Sequence, residues 1–212
     1  MSLNRILTDR DRKDFEPLIE EMFNLCPEMM GRKIPEANVQ QAFALDYILK
    51  LSAFCDDLKM LCVGSFEDTT TESLKQLDYP VTNIDPAVNM DLATFRMSTD
   101  EKFDIIFSVS VIEHVVNDEQ FIEDICNLLS DSGIAILTCD FKNDYKPGDP
   151  LPATDVRFYT KEDLTVRLPR VLKRNKCSLF DEPYLDDPPD FLYQGHTYSF
   201  ATFVFRKVKD GD

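Results

Sequence analysis

The chain has 212 residues, enough for one domain with a modest elaboration, and 43% of them are hydrophobic, enough for a core. Acidic residues number 39 against 23 basic ones, and the resulting net charge of −16 argues against the basic face that a duplex nucleic-acid binder needs. Only 6 glycines occur, where average usage of ~7% would give ~15, so a glycine-rich phosphate cradle is hard to build.

Residues 1–57 read as helical. Phe15, Leu18, Ile19, Met22 and Phe23 recur at helical spacing, and a longer pattern follows Pro35 through Val39, Ala42, Phe43, Leu45, Ile48, Leu49 and Leu51. This segment is expected to form an N-terminal extension or cap on a main domain spanning 58–207. The period then changes. Leu58 to Val63 is a short apolar run closed by Gly64, as in a buried strand. Thr69 and Glu72 have the spacing of a capping box opening a helix to about Leu77.

Val81 to Ile84 is a second strand, ended by Asp85-Pro86, and Phe103 to Val109 has the apolar character of a central parallel strand. Asn117 with Gln120 caps a helix whose inner stripe is Phe121, Ile122, Ile125, Leu128 and Leu129. Ser130 to Gly133 stops it, and Ile134 to Cys139 is another buried strand. After a long loop, Thr160 and Asp163 cap a further helix. Strand-like Tyr198 to Phe205 closes the chain, paired with a strand near Cys177 to Phe180. The segment Asp181 to Asp190, with five acids and three prolines, reads as an exposed loop. Alternating strands and helices with short connections predict a parallel sheet wound on both faces.

The six cysteines fall singly, with no C-x-x-C pair, and Cys62 and Cys139 sit in apolar runs, so reduced thiols are expected. Without paired ligands, and with only His114 and His196, no metal is expected. Met1 to Asp14 lacks an apolar signal core and no run approaches 18 apolar residues, so the expectation is a soluble, cytoplasmic protein without membrane contact.

In a doubly wound sheet the ligand lies at the carboxyl ends of the strands. Here the first turn reads Gly64-Ser65-Phe66-Glu67-Asp68, and Asp85, about twenty residues on, can hydrogen-bond a ribose. A dinucleotide would set its pyrophosphate against Glu67 and Asp68. Like charges ~4–5 Å apart at an effective dielectric near 20 repel by about 3–4 kcal/mol, which disfavours NAD. A nucleoside with a cationic end and no phosphate suits the same turn.

From Met60 to about Thr138 the sequence resembles the class I S-adenosylmethionine-dependent methyltransferases, of the small-molecule, methyltransferase type 11-like kind. Leu61-Cys62-Val63-Gly64-Ser65-Phe66-Glu67-Asp68 is similar to the family's L-D-V-G-x-G-x-G, keeping the first glycine and losing the other two. Phe103 to Ser108 running into Val111-Ile112-Glu113-His114-Val115 is its most specific match. Leu128 to Gly133 resembles the turn before the fifth strand, and Arg157 to Leu164 a segment common in small-molecule methyltransferases. The resemblance, covering roughly 40–205, implies a Rossmann-like, mostly parallel seven-stranded sheet with an antiparallel last strand and N-terminal helices.

It also implies S-adenosylmethionine as cofactor. Gly64, Ser65, Phe66 and Glu67 would hold it at the first turn, with Asp85 and Pro86 after the second strand. Asp91 and Leu92 would lie beside the adenine, and Ser108 and Val109 at the end of the central strand. The expected activity is methyl transfer to a small-molecule or sugar-like acceptor. His114 is the candidate general base or acceptor contact, and Glu113, Tyr145, Arg157, Tyr159 and His196 are candidate substrate residues. The loop from Asp140 to Phe158, with Pro147, Pro150 and Pro152, is expected to wall the substrate side. The two lost glycines leave a second reading open, a non-catalytic methyltransferase-like binding module.

Overall fold

In the computed structural model, which describes residues 2–55 and 57–208, a mixed sheet carries helices on both faces. Strand β1 (Ile6–Leu7) precedes four helices: α1 (Asp9–Asp14), α2 (Glu16–Leu25), α3 (Pro27–Met30) and α4 (Asn38–Ser52). Then follow β2 (Met60–Val63), α5 (Thr69–Gln76), β3 (Val81–Ile84), α6 (Leu92–Ser98), β4 (Phe103–Val109), α7 (Asp118–Leu128) and β5 (Leu129–Phe141). The chain finishes with α8 (Leu168–Arg174), β6 (Cys177–Leu179), β7 (Phe191–Tyr193) and β8 (His196–Lys207).

The spatial order is β1-β8-β5-β4-β2-β3, with β6 and β7 also pairing to β8. Strands β3, β2, β4 and β5 are parallel, and β8 lies antiparallel to β5. Among the described residues the sheet has eight strands rather than the expected seven, because the edge of β8 takes up short antiparallel partners, among them the N-terminal β1. Alternation along the parallel strands supplies two cores. Leu61, Val63 and Ile106 face the side covered by α6, α7 and α8, while Met60, Cys62, Ile105 and Phe107 face α2, α4 and α5. The chain leaves β2 for β3 on one side and returns to β4 on the other. The crevice at the carboxyl ends of β2 and β4 is therefore the topological switch point.

Several local expectations shift. The cap of α5 is Asp68, one residue before the expected Thr69, with its Oδ1 accepting from Thr71 N at 2.6 Å. Strand β5 begins at Leu129, directly after α7, because the chain re-enters pairing with Phe103 before an irregularity that passes Gly133. Thr160 and Asp163 cap each other reciprocally, as their spacing predicts. The helix they open runs as a π turn over Asp163–Arg167, where Pro169, lacking an N–H, removes an α-helical donor.

The acidic segment 181–190 is a clasp rather than a free loop. Asp181 accepts from Leu3 N at 2.6 Å, Asn4 N at 3.1 Å and Ser2 Oγ at 2.8 Å, and Asp190 pairs with Arg12 at 2.8 Å. Leu185 is buried beneath it. These contacts tie the N-terminal helices to the sheet.

A second knot joins α7 to the chain after β5. Buried Asp118 accepts from Tyr159 Oη at 2.9 Å and pairs with Arg167 at 2.7 Å and Arg157 at 2.9 Å. Burial alone would raise the Asp118 carboxyl, but Arg167, Arg157 and Tyr159 outweigh it and hold the group below its ordinary value. Asp118→Ala takes the shared acceptor from two arginines and a buried phenol, which keep the carbonyls of Val115, Val116 and Ile112 and the Asp163 carboxylate, and is expected to cost about 1–3 kcal/mol in chemical denaturation at pH 7. Because the folded pKa is depressed, this stabilisation is complete above the unfolded value of about 3.9 and fades as pH falls through the folded one. Wild type and variant should therefore converge in strong acid.

Candidate active site

A cleft of about 960 Å³ opens at the switch point, lined from the β2–α5 turn, the β3–α6 connection, the segment after β4 and the N-terminal helices. Its floor is Gly64, whose φ is +84°. A Cβ there would lie 2.3 Å from Val111 Cγ2, so only glycine fits between the turn and the segment after β4. The other two positions of the family pattern need no glycine. Phe66 is not among the left-handed residues, Asp68 has φ −79°, and Glu67 between them takes the left-handed turn at φ 53°. Arg32 Nε holds the Glu67 carboxylate at 2.8 Å, fastening the chain before α4 to the turn.

Asp85 organises the next wall. Its Oδ2 accepts from Phe66 N at 3.1 Å and its Oδ1 from Ala87 N at 2.6 Å, joining the turns after β2 and β3. Asp91 caps α6, with its oxygens taking Thr94 N at 2.8 Å and Thr94 Oγ1 at 2.9 Å. Those bonds hold its carboxyl below the ordinary value. Met90, Leu92, Val111, Val115 and Phe121 supply the cleft's apolar surface on this side.

Of the sequence-predicted residues, Gly64, Phe66, Glu67, Asp85, Pro86, Asp91, Leu92, Val109 and His114 line this one cleft. Ser65 and Ser108 do not. Ser65 Oγ accepts from Asn83 Nδ2 at 3.2 Å, and Ser108 is buried within β4. Glu113 lies directly behind the cleft, accepting from Ser110 Oγ at 2.7 Å. Arg157 and Tyr159 belong to the Asp118 knot. Tyr145 and His196 join Phe158 in an aromatic group, with ring centroids at 5.8 and 6.2 Å. A separate recess of about 710 Å³ contains Tyr145 and Arg157.

Cleft residues that sequence reasoning missed come mainly from the N-terminal segment: Arg32, Lys33, Asn38, Gln40 and Gln41. A signal existed. Asn38 through Leu45 are all buried, so the first two turns of α4 have no exposed face to account for their carboxamides. Tyr193 also reaches the cleft, presented by a tight hairpin whose two turn residues, Gln194 and Gly195, are both left-handed.

The segment after β4 is electrostatically loaded. Ser110 is left-handed at φ 55°, and three carboxylates, Glu113, Asp140 and Asp155, lie close behind it. Burial pushes the Glu113 and Asp140 carboxyls up, and Asp140 is raised further by the neighbouring charges. His114 Nδ1 donates toward Asp155 Oδ1 at 3.2 Å and Thr154 O at 3.1 Å, bridging the cleft to the long loop after β5. Its hydrogen bond to Asp155, helped by the Glu113 charge against partial burial, raises its pKa to about 9.

Among the described residues no group of His, Cys, Asp and Glu has metal-site geometry, and no helix is long and apolar enough to cross a membrane. Cys26, Cys62, Cys126, Cys139 and Cys177 are buried free thiols.

The methyltransferase domain family model matches residues 61–137, the stretch that supplies the floor and most of the walls of the cleft. Over residues 61–137 the chain is similar to the methyltransferase domain family. S-adenosylmethionine is the cofactor of this family. Similar solved structures include the plantazolicin methyltransferase BamL, in complex with a triazolic desmethylPZN analog and SAH. It is 12% identical, with a TM-score of 0.55 over 94% of this chain and 98% of that one. The Burkholderia thailandensis 1,6-didemethyltoxoflavin-N1-methyltransferase is 15% identical, with a TM-score of 0.54 over 93% and 87%. An S-adenosylmethionine-dependent methyltransferase from Clostridium acetobutylicum is 10% identical, with a TM-score of 0.50 over 91% and 99%. At these identities the likeness is one of fold. No curated protein sequence matches the chain.

The methyltransferase domain's residues fit the family's cofactor. Gly64 packs against Val111 and so holds the turn after β2 at the floor of the cleft, the apolar wall suits an adenine, and the acids present would repel a phosphate but tolerate a sulfonium.

His114 gives a direct test of the bridge to the long loop. A histidine whose folded pKa is raised stabilises its contacts fully below its unfolded value of about 6.5, and loses that contribution as pH rises through about 9. Amide hydrogen exchange at residues 153–156 should therefore quicken between pH 8 and 10 beyond the intrinsic pH effect. His114→Gln should show the faster exchange at pH 7 and no such added step.

Proposed function

We propose that the chain transfers the methyl group of S-adenosylmethionine to a small-molecule acceptor admitted to the same cleft. The observation that carries this reading is the convergence on one cleft of Gly64, in a conformation no other residue can take there, with Asp85 from the neighbouring strand. When bound, the cofactor supplies an electrophilic methyl group on a sulfonium. The chain's own residues bind and orient. Gly64, Phe66 and Val109 shape the inner end, the Asp85 turn with Pro86 borders the ribose, and Asp91 and Leu92 flank the adenine wall.

An in-line displacement depends mainly on holding donor and acceptor in register, and the helices before β2 are placed to do so. Lys33, Asn38 and Gln40 from that side, with Tyr193 from the hairpin, offer polar contacts opposite Gly64. His114 is assigned a positioning role at neutral pH. With a pKa of about 9 it is cationic, a hydrogen-bond donor to the loop carbonyl and carboxylate rather than a proton acceptor. The net negative charge of the chain fits a neutral or cationic acceptor better than a polyanion.

Isothermal titration calorimetry with S-adenosylmethionine should give saturable, one-site heat, accompanied by a rise in Tm. No heat and no thermal shift at millimolar ligand would overturn the reading. Asp85→Ala frees the Phe66 and Ala87 amides and removes the ribose-side acceptor. It should weaken cofactor binding by about 1–3 kcal/mol, whereas unchanged affinity would exclude the Asp85 turn from the cofactor site.

A further inference from the structure

Most acids lining the cleft are already committed. Asp85 and Asp91 each use both oxygens, Glu67 pairs with Arg32, and Asp124 is held by Gln120 at 3.1 Å and faces Arg96 at 3.8 Å. Asp68 differs. Its Oδ1 caps α5 through Thr71 N, but its Oδ2 is buried without a hydrogen-bond partner, in a residue only 4% exposed. Gln40, on the facing helix α4, is 2% exposed and likewise has a buried Oε1 with no partner. Both residues line the cleft. Its neighbour Gln41 accepts from Thr70 N at 2.9 Å and Thr70 Oγ1 at 2.6 Å, which fixes α4 against the start of α5 and so fixes the two walls relative to each other.

A buried acceptor left without a donor costs the full desolvation of that group. Two such acceptors on one cleft, one of them a carboxylate, call for a ligand that brings several donors and a positive charge. We propose that Asp68 Oδ2 and Gln40 Oε1 receive the α-ammonium group of the cofactor's methionine moiety, so that an acid standing at a glycine position of the family pattern becomes an amino-acid anchor.

This rests on the cofactor reading above and adds to it a recognition element that the family pattern does not contain, since glycine at 68 offers no side chain. Lys33 is the nearby cation that acts on Asp68, and its closest carboxylate is Glu67 at 4.0 Å, so the Asp68 oxygen stays open to an incoming charge. Burial pushes the Asp68 carboxyl up against the hydrogen bonding of Thr71 and the Gln41 side chain that lowers it, and an arriving ammonium would favour its ionised form. The dipole of α5 opposes a cation at this end. A charge-assisted hydrogen bond to a carboxylate that already caps the helix is the stronger effect.

The test uses two ligands that differ at this end. S-adenosylhomocysteine carries the amino acid, whereas 5′-methylthioadenosine keeps the nucleoside and thioether without it. Calorimetry on the full chain should show that Asp68→Asn binds S-adenosylhomocysteine about 10- to 100-fold more weakly than wild type. Its affinity for 5′-methylthioadenosine should be unchanged. Asparagine caps helices as well as aspartate, so α5 should survive, as far-UV circular dichroism would check. Gln40→Leu should show the same ligand-selective loss at smaller amplitude. Unchanged affinity of Asp68→Asn for S-adenosylhomocysteine, or an equal loss for both ligands, would overturn the anchor while leaving the cofactor reading standing. Failure of the wild-type chain to bind either ligand would overturn the cofactor reading and the anchor with it.

Discussion

The contact of Gly64 with Val111 is the constraint on which the site depends. Two loops from strands on either side of the switch point cross so closely that a single methyl group at residue 64 would sit 2.3 Å from a valine carbon. That crossing brings the turn after β2 against the segment after β4, and with it the carboxyl ends of both strands. It also explains how a chain with so few glycines keeps a ligand cleft. One position cannot do without glycine, while Phe66 and Asp68 occupy backbone conformations open to any residue, and the left-handed turn falls to Glu67. A non-glycine residue there costs on the order of 1–2 kcal/mol, and its pairing with Arg32 offsets part of that.

The second dependence runs from the far end of the chain. The helices that complete the cleft precede β2 and share no parallel strand with it, so something else must seat them. The acidic clasp does this, with Asp181 gathering the amides of residues 3 and 4 and Asp190 taking Arg12. Because Ile6 and Leu7 then pair with β8, the N-terminus is knitted into the sheet before α1 begins. Placement of Gln40 and Asn38 on the cleft thus depends on contacts formed with residues nearly the whole chain away. Their sequence separation makes this a late-paying arrangement in loop-closure terms, and the hydrogen bonds of the clasp add to the apolar core that α2 and α4 share with the sheet.

How much of this was legible follows from the range of the interactions. The parallel strands and their helices declare themselves through local pattern. Leu61 to Val63 and Phe103 to Val109 are apolar because both faces are covered, and Asn117 caps α7 through a bond only three residues long. Asp85 and Gly64 are legible because strand, turn and helix lengths fix their spacing. The long-range partners are not. Arg157 and Tyr159 look like cleft residues in sequence, yet Asp118 draws them into a structural knot. Tyr145 and His196 are taken up by the aromatic group around Phe158, while Tyr193, the last residue of β7, is the one that reaches the cleft. Which residue of a hairpin points where depends on turn register, and the left-handed pair at 194 and 195 sets it.

The acid surplus acquires a local meaning at the cleft. Acids there do not act as one negative field, because each is assigned differently by its neighbours. Asp85 and Asp91 spend their oxygens on backbone amides and a hydroxyl and serve as scaffold, whereas Glu67 is neutralised by an arginine on the opposite wall. A buried carboxylate oxygen withheld from such partners gains most from a charged donor, since it has the larger desolvation cost to recover. Among the cleft acids that leaves Asp68, buried at the cap of α5 with one oxygen unspent. Substituting glycine there would restore the family pattern but remove both the helix cap and the open oxygen. In this chain, therefore, the departure from the glycine motif supplies both the cap of α5 and the open oxygen.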